Sequence, residues 1–106
     1  MVNVHEIRRH PTRVLARVRA YAADLDKVIY QRETINALVK DKIVFMADIW
    51  DCLENGEIME EHLHFEEDGT YAKLVCHTGD CTIYVDIKML NIEDKLMVLY
   101  AEKEDE

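Results

Sequence analysis

Serine is absent from the 106 residues, and there are only one proline, three glycines and three cysteines. Without serine, and with Cys52 beside an apolar helical stripe, nucleophile–histidine hydrolysis has little support. Three scattered glycines leave no glycine-rich loop to cradle phosphates. No linker, repeat or low-complexity stretch interrupts the chain, so a single domain is expected over residues 1–101, with an acidic tail at 102–106. No apolar run approaches the roughly 18 residues of a membrane span, so no membrane partner is expected. An odd cysteine count without a charged-then-apolar leader suggests reduced thiols in a cytoplasm. Bases are scarce too. Thirteen Lys and Arg face 22 Asp and Glu, a formal charge of −9, which weighs against non-specific binding to nucleic acid. What remains, 49% apolar and 33% charged, is the composition of a globular protein.

The charge is uneven. Residues 1–40 carry eight bases and four acids, a charge of +4, whereas residues 41–106 carry five bases and 18 acids, a charge of −13. A basic head on an acidic body can mark a partner surface, and it also suits solvated faces ahead of a disordered acidic tail.

Helical periodicity begins after Pro11, whose missing N–H costs nothing in a first turn. Val14, Leu15, Val18, Tyr21, Ala22 and Leu25 form one apolar stripe. Arg9, Arg13 and Arg17 recur every four residues on another face. Thr34 is placed to cap a short helix through Val39. Met46, Ile49, Trp50 and Leu53 form a further stripe, with Trp50 facing the core and Gly56 as a left-handed stop. From Glu60 the period falls to two. Asp68-Gly69 and Thr78-Gly79 read as two-residue hairpin turns. Those turns set Leu63 opposite Leu74, Phe65 opposite Ala72, His64 opposite Lys73, Cys76 opposite Cys81 and Lys73 opposite Tyr84. A last strand runs from Lys95 to Ala101. The expected fold is α+β, with N-terminal helices packed on one face of a C-terminal antiparallel meander.

The other sheet face then gathers His62, His64, Tyr71, Lys73, Tyr84, Asp86 and Lys88. Tyr84, Lys73 and His64 offer a phenol, an ammonium and an imidazole. RNA cleavage through the 2′-hydroxyl needs such a base, acid and positive charge. The same residues suit the ordinary polar face of a two-layer protein. Arg9, Arg13 and Arg17 offer point contacts to phosphates or to an acidic partner, or salt bridges within the chain. Cys76 and Cys81 fall on the inferred core face, and with Cys52, His62 and His64 they show no recognised zinc spacing, so neither metal nor cofactor is expected.

Pro11-Thr12-Arg13-Val14 resembles the N-terminal His/Pro-Thr-Arg-Leu segment of the MqsR-type toxins and related DUF4258 proteins, which have the RelE-like ribonuclease fold. Residues 83–87 and 95–100 are similar to that family's last two strands. The resemblance covers most of the chain in outline, with specific matches over about 20 residues. It implies a cytoplasmic bacterial endoribonuclease, independent of metal, that cuts mRNA and is restrained by a cognate antitoxin. Tyr84 matches the family's catalytic tyrosine. The position of its C-terminal lysine falls on Ala101, with Lys103 two residues later. The family's other lysine and its glutamine have no counterpart by sequence, Lys73 being a spatial candidate only.

Two functions are therefore expected to compete. One is a toxin–antitoxin-type endoribonuclease, its activity intact or degenerate. The other is a non-catalytic acidic module, such as an immunity or antitoxin-like protein or a DNA mimic, that captures a basic partner.

Overall fold

The computed structural model describes residues 10–105. The architecture is α+β, with three α-helices and a six-stranded mixed sheet. Helix α1 spans Pro11–Ala22, with Pro11 in its first turn and the His10 ring accepting from the Thr12 N–H at 3.2 Å. A short strand β1 (Val28–Tyr30) leads into α2 (Arg32–Lys40), and α3 spans Met46–Asn55. Strands β2 (Glu57–Ile58) and β3 (His64–Glu66) flank a 3-10 turn at Glu60–His62. Three long strands close the chain: β4 (Gly69–Thr78), β5 (Cys81–Leu90) and β6 (Lys95–Asp105).

The order across the sheet is β1-β6-β5-β4-β2, with β3 also on β4. The expected antiparallel meander is thus only part of the sheet. Strand β1 pairs in parallel with β6, setting Val28 opposite Leu96 and Tyr30 opposite Val98. Strands β1 and β2 were not expected, because two or three residues are too short to display a period-2 alternation. Strand β6 also runs to Asp105 rather than stopping at Ala101, so the acidic residues Glu102, Glu104 and Asp105 extend the ladder against β5.

Both hairpins turn one residue away from their expected sites. Glu67-Asp68 and Gly79-Asp80 form the turns. Every cross-strand partner therefore moves by two residues, and a two-residue shift keeps each side chain on its face. His64 is opposite Tyr71, Phe65 opposite Thr70, and Lys73 opposite Asp86, while Tyr84 is opposite Val75 and Cys76 opposite Ile83. Glycine selects the second turn, since Gly79 takes φ +57°.

The helices cover one sheet face. Val14 and Val18 of α1, Ile35 and Leu38 of α2, and Ile49 and Leu53 of α3 meet Leu74, Ile83, Val85, Ile87, Leu96 and Val98. Each of the larger side chains contributes about 1.5–3 kcal/mol on burial. Trp50 is half-buried against this core. Helix α2 starts at Arg32 rather than after Thr34, because the Gln31 N–H still bonds the Val98 carbonyl and the chain turns into helix there. Helix α3 ends at Gly56 in extended backbone, φ −71°, not in a left-handed cap. Glycine is required for a different reason: a Cβ there would lie 2.5 Å from the Cys52 carbonyl oxygen. Arg19 of α1 crosses to this junction and donates to the Leu53 carbonyl at 2.6 Å and to the Gly56 carbonyl.

Candidate functional site

The sheet face away from the helices carries the polar residues that the alternation placed there. Strand β4 supplies Tyr71 and Lys73, β5 supplies Tyr84, Asp86 and Lys88, and β6 supplies Tyr100, Glu102 and Glu104. A β-bulge between Asp86 and Ile87 leaves Leu99 as the extra residue on β6. Leu99 thereby joins His62, Tyr71, Lys73 and Asp86 around a cleft of about 260 Å³.

Lys73 and Tyr84 do meet, diagonally rather than directly. The Lys73 Nζ lies 5.6 Å from the centre of the Tyr84 ring. It also lies 3.8 Å from Asp86 Oδ1, and both of those side chains are substantially shielded. The Tyr84 hydroxyl donates to Glu104 Oε2 at 3.5 Å, and Glu102 stands across the ladder from Tyr84. Three carboxylates thus surround the lysine–tyrosine pair. His64 is not brought to Lys73. Its Nε2 pairs with Glu66 Oε1 at 2.7 Å, and its ring tilts against Tyr71, with centroids 6.2 Å apart. Lys88 lies over the Tyr71 ring at 4.8 Å and pairs with Asp68 in the β3–β4 turn at 2.6 Å. The Asp68 hydrogen bond raises the Lys88 ammonium above its ordinary value, and Lys88 in turn lowers the Asp68 carboxyl.

The position expected for a catalytic lysine is occupied by structure. Ala101 is fully buried opposite Val85, facing the helices. Lys103 follows Ala101 by two and so faces the same side, where its Nζ lies 5.5 Å from the Phe45 ring. Neither position opens toward Tyr84.

The arginine stripe is separate as well. Arg9 lies outside the described residues. Arg13 and Arg17 belong to α1, on the helix side of the sheet. Arg17 lines a cleft with Tyr21, Lys27 and Asp94, where the Tyr21 hydroxyl and the Lys27 ammonium both donate to Asp94, at 2.8 and 2.6 Å.

The cysteines are embedded. Cys52 is fully buried, and burial pushes its thiol up to about 12, which removes the thiolate a nucleophile needs at neutral pH. The Cys76 thiol donates to Asp51 at 3.4 Å, and burial raises it too. Cys81 is opposite Thr78, not Cys76. Among the described residues no group of three or more His, Cys, Asp or Glu is arranged to hold a metal ion.

One feature escaped the sequence-based expectations. From Ile43 to Ala72 there is neither Lys nor Arg, and nine acids fall there. This stretch folds into α3, β2, the 3-10 turn and β3. Glu54, Glu57, Glu60, Glu61, Glu66, Glu67 and Asp68 are all exposed along one edge of the sheet. Its signal in the sequence is the base-free run itself, which the average over residues 41–106 conceals.

Comparison with protein-family models, with curated proteins and with solved structures finds no match to this chain. Among the described residues no helix is long and apolar enough to cross a membrane.

Proposed function

We propose that this chain is a RelE-like toxin-fold protein whose RNA-cutting site has lapsed, and that it acts in the cytoplasm by binding a basic protein partner. One observation carries this reading. The Lys73–Tyr84 pair is surrounded by Asp86, Glu102 and Glu104, while the position that would hold the second cation is Ala101, buried under the helices. A phosphorane bears extra negative charge and needs cations aimed at it. Carboxylates at that place raise the barrier instead. The same carboxylates, and the acidic edge from Glu54 to Asp68, draw a basic protein at long range and speed its capture. A small basic antitoxin-like or other regulatory protein fits this chemistry.

The test pairs growth with capture. Induced expression is expected to leave growth unchanged for both the wild type and Tyr84→Phe. Immobilised protein is expected to retain a basic protein from its own cell extract at low salt and release it at high salt. Growth arrest relieved by Tyr84→Phe overturns the proposal in favour of the ribonuclease reading, with Tyr84, Lys73 and His64 as its groups. The proximity of Lys73 to Tyr84 is the observation that favours that second reading.

A further inference from the structure

Strand β6 is eleven residues long, yet β1 covers only Leu96, Met97 and Val98. Among the described residues, no strand pairs with the outer side of β6 beyond Val98. The stretch Tyr100–Asp105 is therefore an edge whose alternate N–H and C=O groups point outward. Such an edge is a template for an added strand.

Its side chains define what fits. On the open face stand Tyr100, Glu102 and Glu104, two residues apart. Tyr100 is 41% exposed. On the helix face, Phe45 is 52% exposed and the Lys103 Nζ lies 5.5 Å from its ring. A second copy of this chain is a poor occupant. Antiparallel registers that overlap the Glu102–Glu104 stretch of the two copies set glutamate against glutamate, and like charges directly opposite destabilise a ladder. An extended cationic segment has the complementary pattern.

We propose that the outer edge of β6 from Tyr100 to Asp105 accepts an extended segment of a basic protein as a seventh strand. That segment carries Lys or Arg at two alternate positions, facing Glu102 and Glu104, and an aromatic or aliphatic residue two further on, facing Tyr100. Its intervening side chains lie on the helix face, on the side of Lys103 and Phe45. The inference rests on the reading above that the partner is a basic protein, and it names where and how that partner binds.

The probe is a labelled twelve-residue peptide with the core Lys-Thr-Lys-Thr-Tyr, titrated with the full chain and followed by fluorescence anisotropy at low salt. Three controls accompany it. One is a scrambled peptide with the lysines adjacent. Another is the same core with alternate backbone nitrogens methylated on the edge meant to pair. The third is a charge-matched pair of proteins, Glu102→Lys/Glu104→Lys and Asp26→Lys/Glu93→Lys, the latter at exposed positions away from the acidic edge, each checked by circular dichroism. Strand addition predicts that the alternating peptide binds and that scrambling or methylation weakens it about tenfold or more. It also predicts a loss of similar size for Glu102→Lys/Glu104→Lys and little change for Asp26→Lys/Glu93→Lys. Equal binding of alternating, scrambled and methylated peptides overturns the proposal, because charge alone then suffices. Capture of a basic protein that survives Glu102→Lys/Glu104→Lys also overturns the edge assignment, while leaving the proposed function standing. Failure to capture any basic protein sinks the functional reading itself.

Discussion

Tyr84 and Lys103 lie on opposite faces of the sheet. Tyr84 faces the open side, opposite Val75 on β4, whereas Lys103 sits opposite Ile83 and lies beside Phe45 on the helix side. Strand alternation alone forbids a shared site, since residues an odd number apart on paired positions point to different sides. Ala101 shares the helix side and is fully buried. Replacing it by the lysine that the family resemblance leads one to look for would place an ammonium in an apolar core.

Ala101→Lys is therefore expected to lower stability by about 3 kcal/mol or more and to confer no RNA cleavage. Urea denaturation reads the first effect as a fall in midpoint. A labelled RNA incubated with the purified variant reads the second. Retained stability with new cleavage would mean that residue 101 reaches the open face.

The junction between α1 and α3 gives a second expectation. Arg19 satisfies the Leu53 and Gly56 carbonyls, which are among the groups left without helical partners at the end of α3. Arg19→Met keeps the apolar stem and removes the donors, at an expected cost of about 1–3 kcal/mol. Gly56→Ala is expected to cost a similar amount, because its Cβ meets the Cys52 carbonyl and the Val75 carbonyl. The two act on one junction, so the double variant is expected to cost less than the sum. Thermal unfolding of the three variants checks this.

These features differ in how legible they are in the sequence. The helices around Val14 and Ile49 follow from apolar spacing, and the two sheet faces follow from alternation between Leu63 and Ala101. Partners across the ladder do not. Asp68-Gly69 and Thr78-Gly79 each allow a turn one residue to either side, and alternation survives the resulting two-residue shift unchanged. Lys73 thus came to face Asp86 instead of Tyr84, which converts a candidate phosphate cation into half of an ion pair. The role of Arg19 was invisible for another reason: its partners are backbone carbonyls 34 and 37 residues away.

Lys42 offers a stabilising change. It holds φ +59° just after α2. Its N–H bonds the Val39 carbonyl, and the Ile43 N–H bonds the Leu38 carbonyl, the paired bonds of a left-handed helix terminus. A side chain in that conformation costs about 1 kcal/mol. Lys42→Gly is expected to raise stability by roughly that amount, less glycine's greater entropy in the unfolded chain. Lys42→Ala is expected to give no gain, since alanine keeps the Cβ. Chemical denaturation of the three proteins in parallel separates loss of the lysine charge from relief of the backbone.

Asp94 ties the β5–β6 turn to the rest of the molecule, and its charge gives a pH signature. The Lys27 hydrogen bond, then that of Tyr21, holds the Asp94 carboxyl below its ordinary 3.8. In return Asp94 holds the Lys27 ammonium above its ordinary 10.5. A carboxyl with a depressed folded value stabilises the fold above its unfolded value, and the contribution disappears as pH falls through the folded one. An ammonium with a raised folded value stabilises below its unfolded value, and the contribution disappears as pH rises through the folded one. The stabilisation should therefore be level between about pH 5 and pH 9 and fade on both sides. Asp94→Asn isolates the charge, because asparagine tolerates the φ of +52° that Asp94 adopts. At pH 7 the variant should melt below the wild type, and the gap should shrink in high salt because the pair is exposed. As pH falls through the depressed folded value the wild-type carboxyl takes up its proton, and the gap between the two melting curves should narrow. A gap that stays undiminished however far the pH is lowered would assign the effect to the shape of the turn rather than to the ion pair.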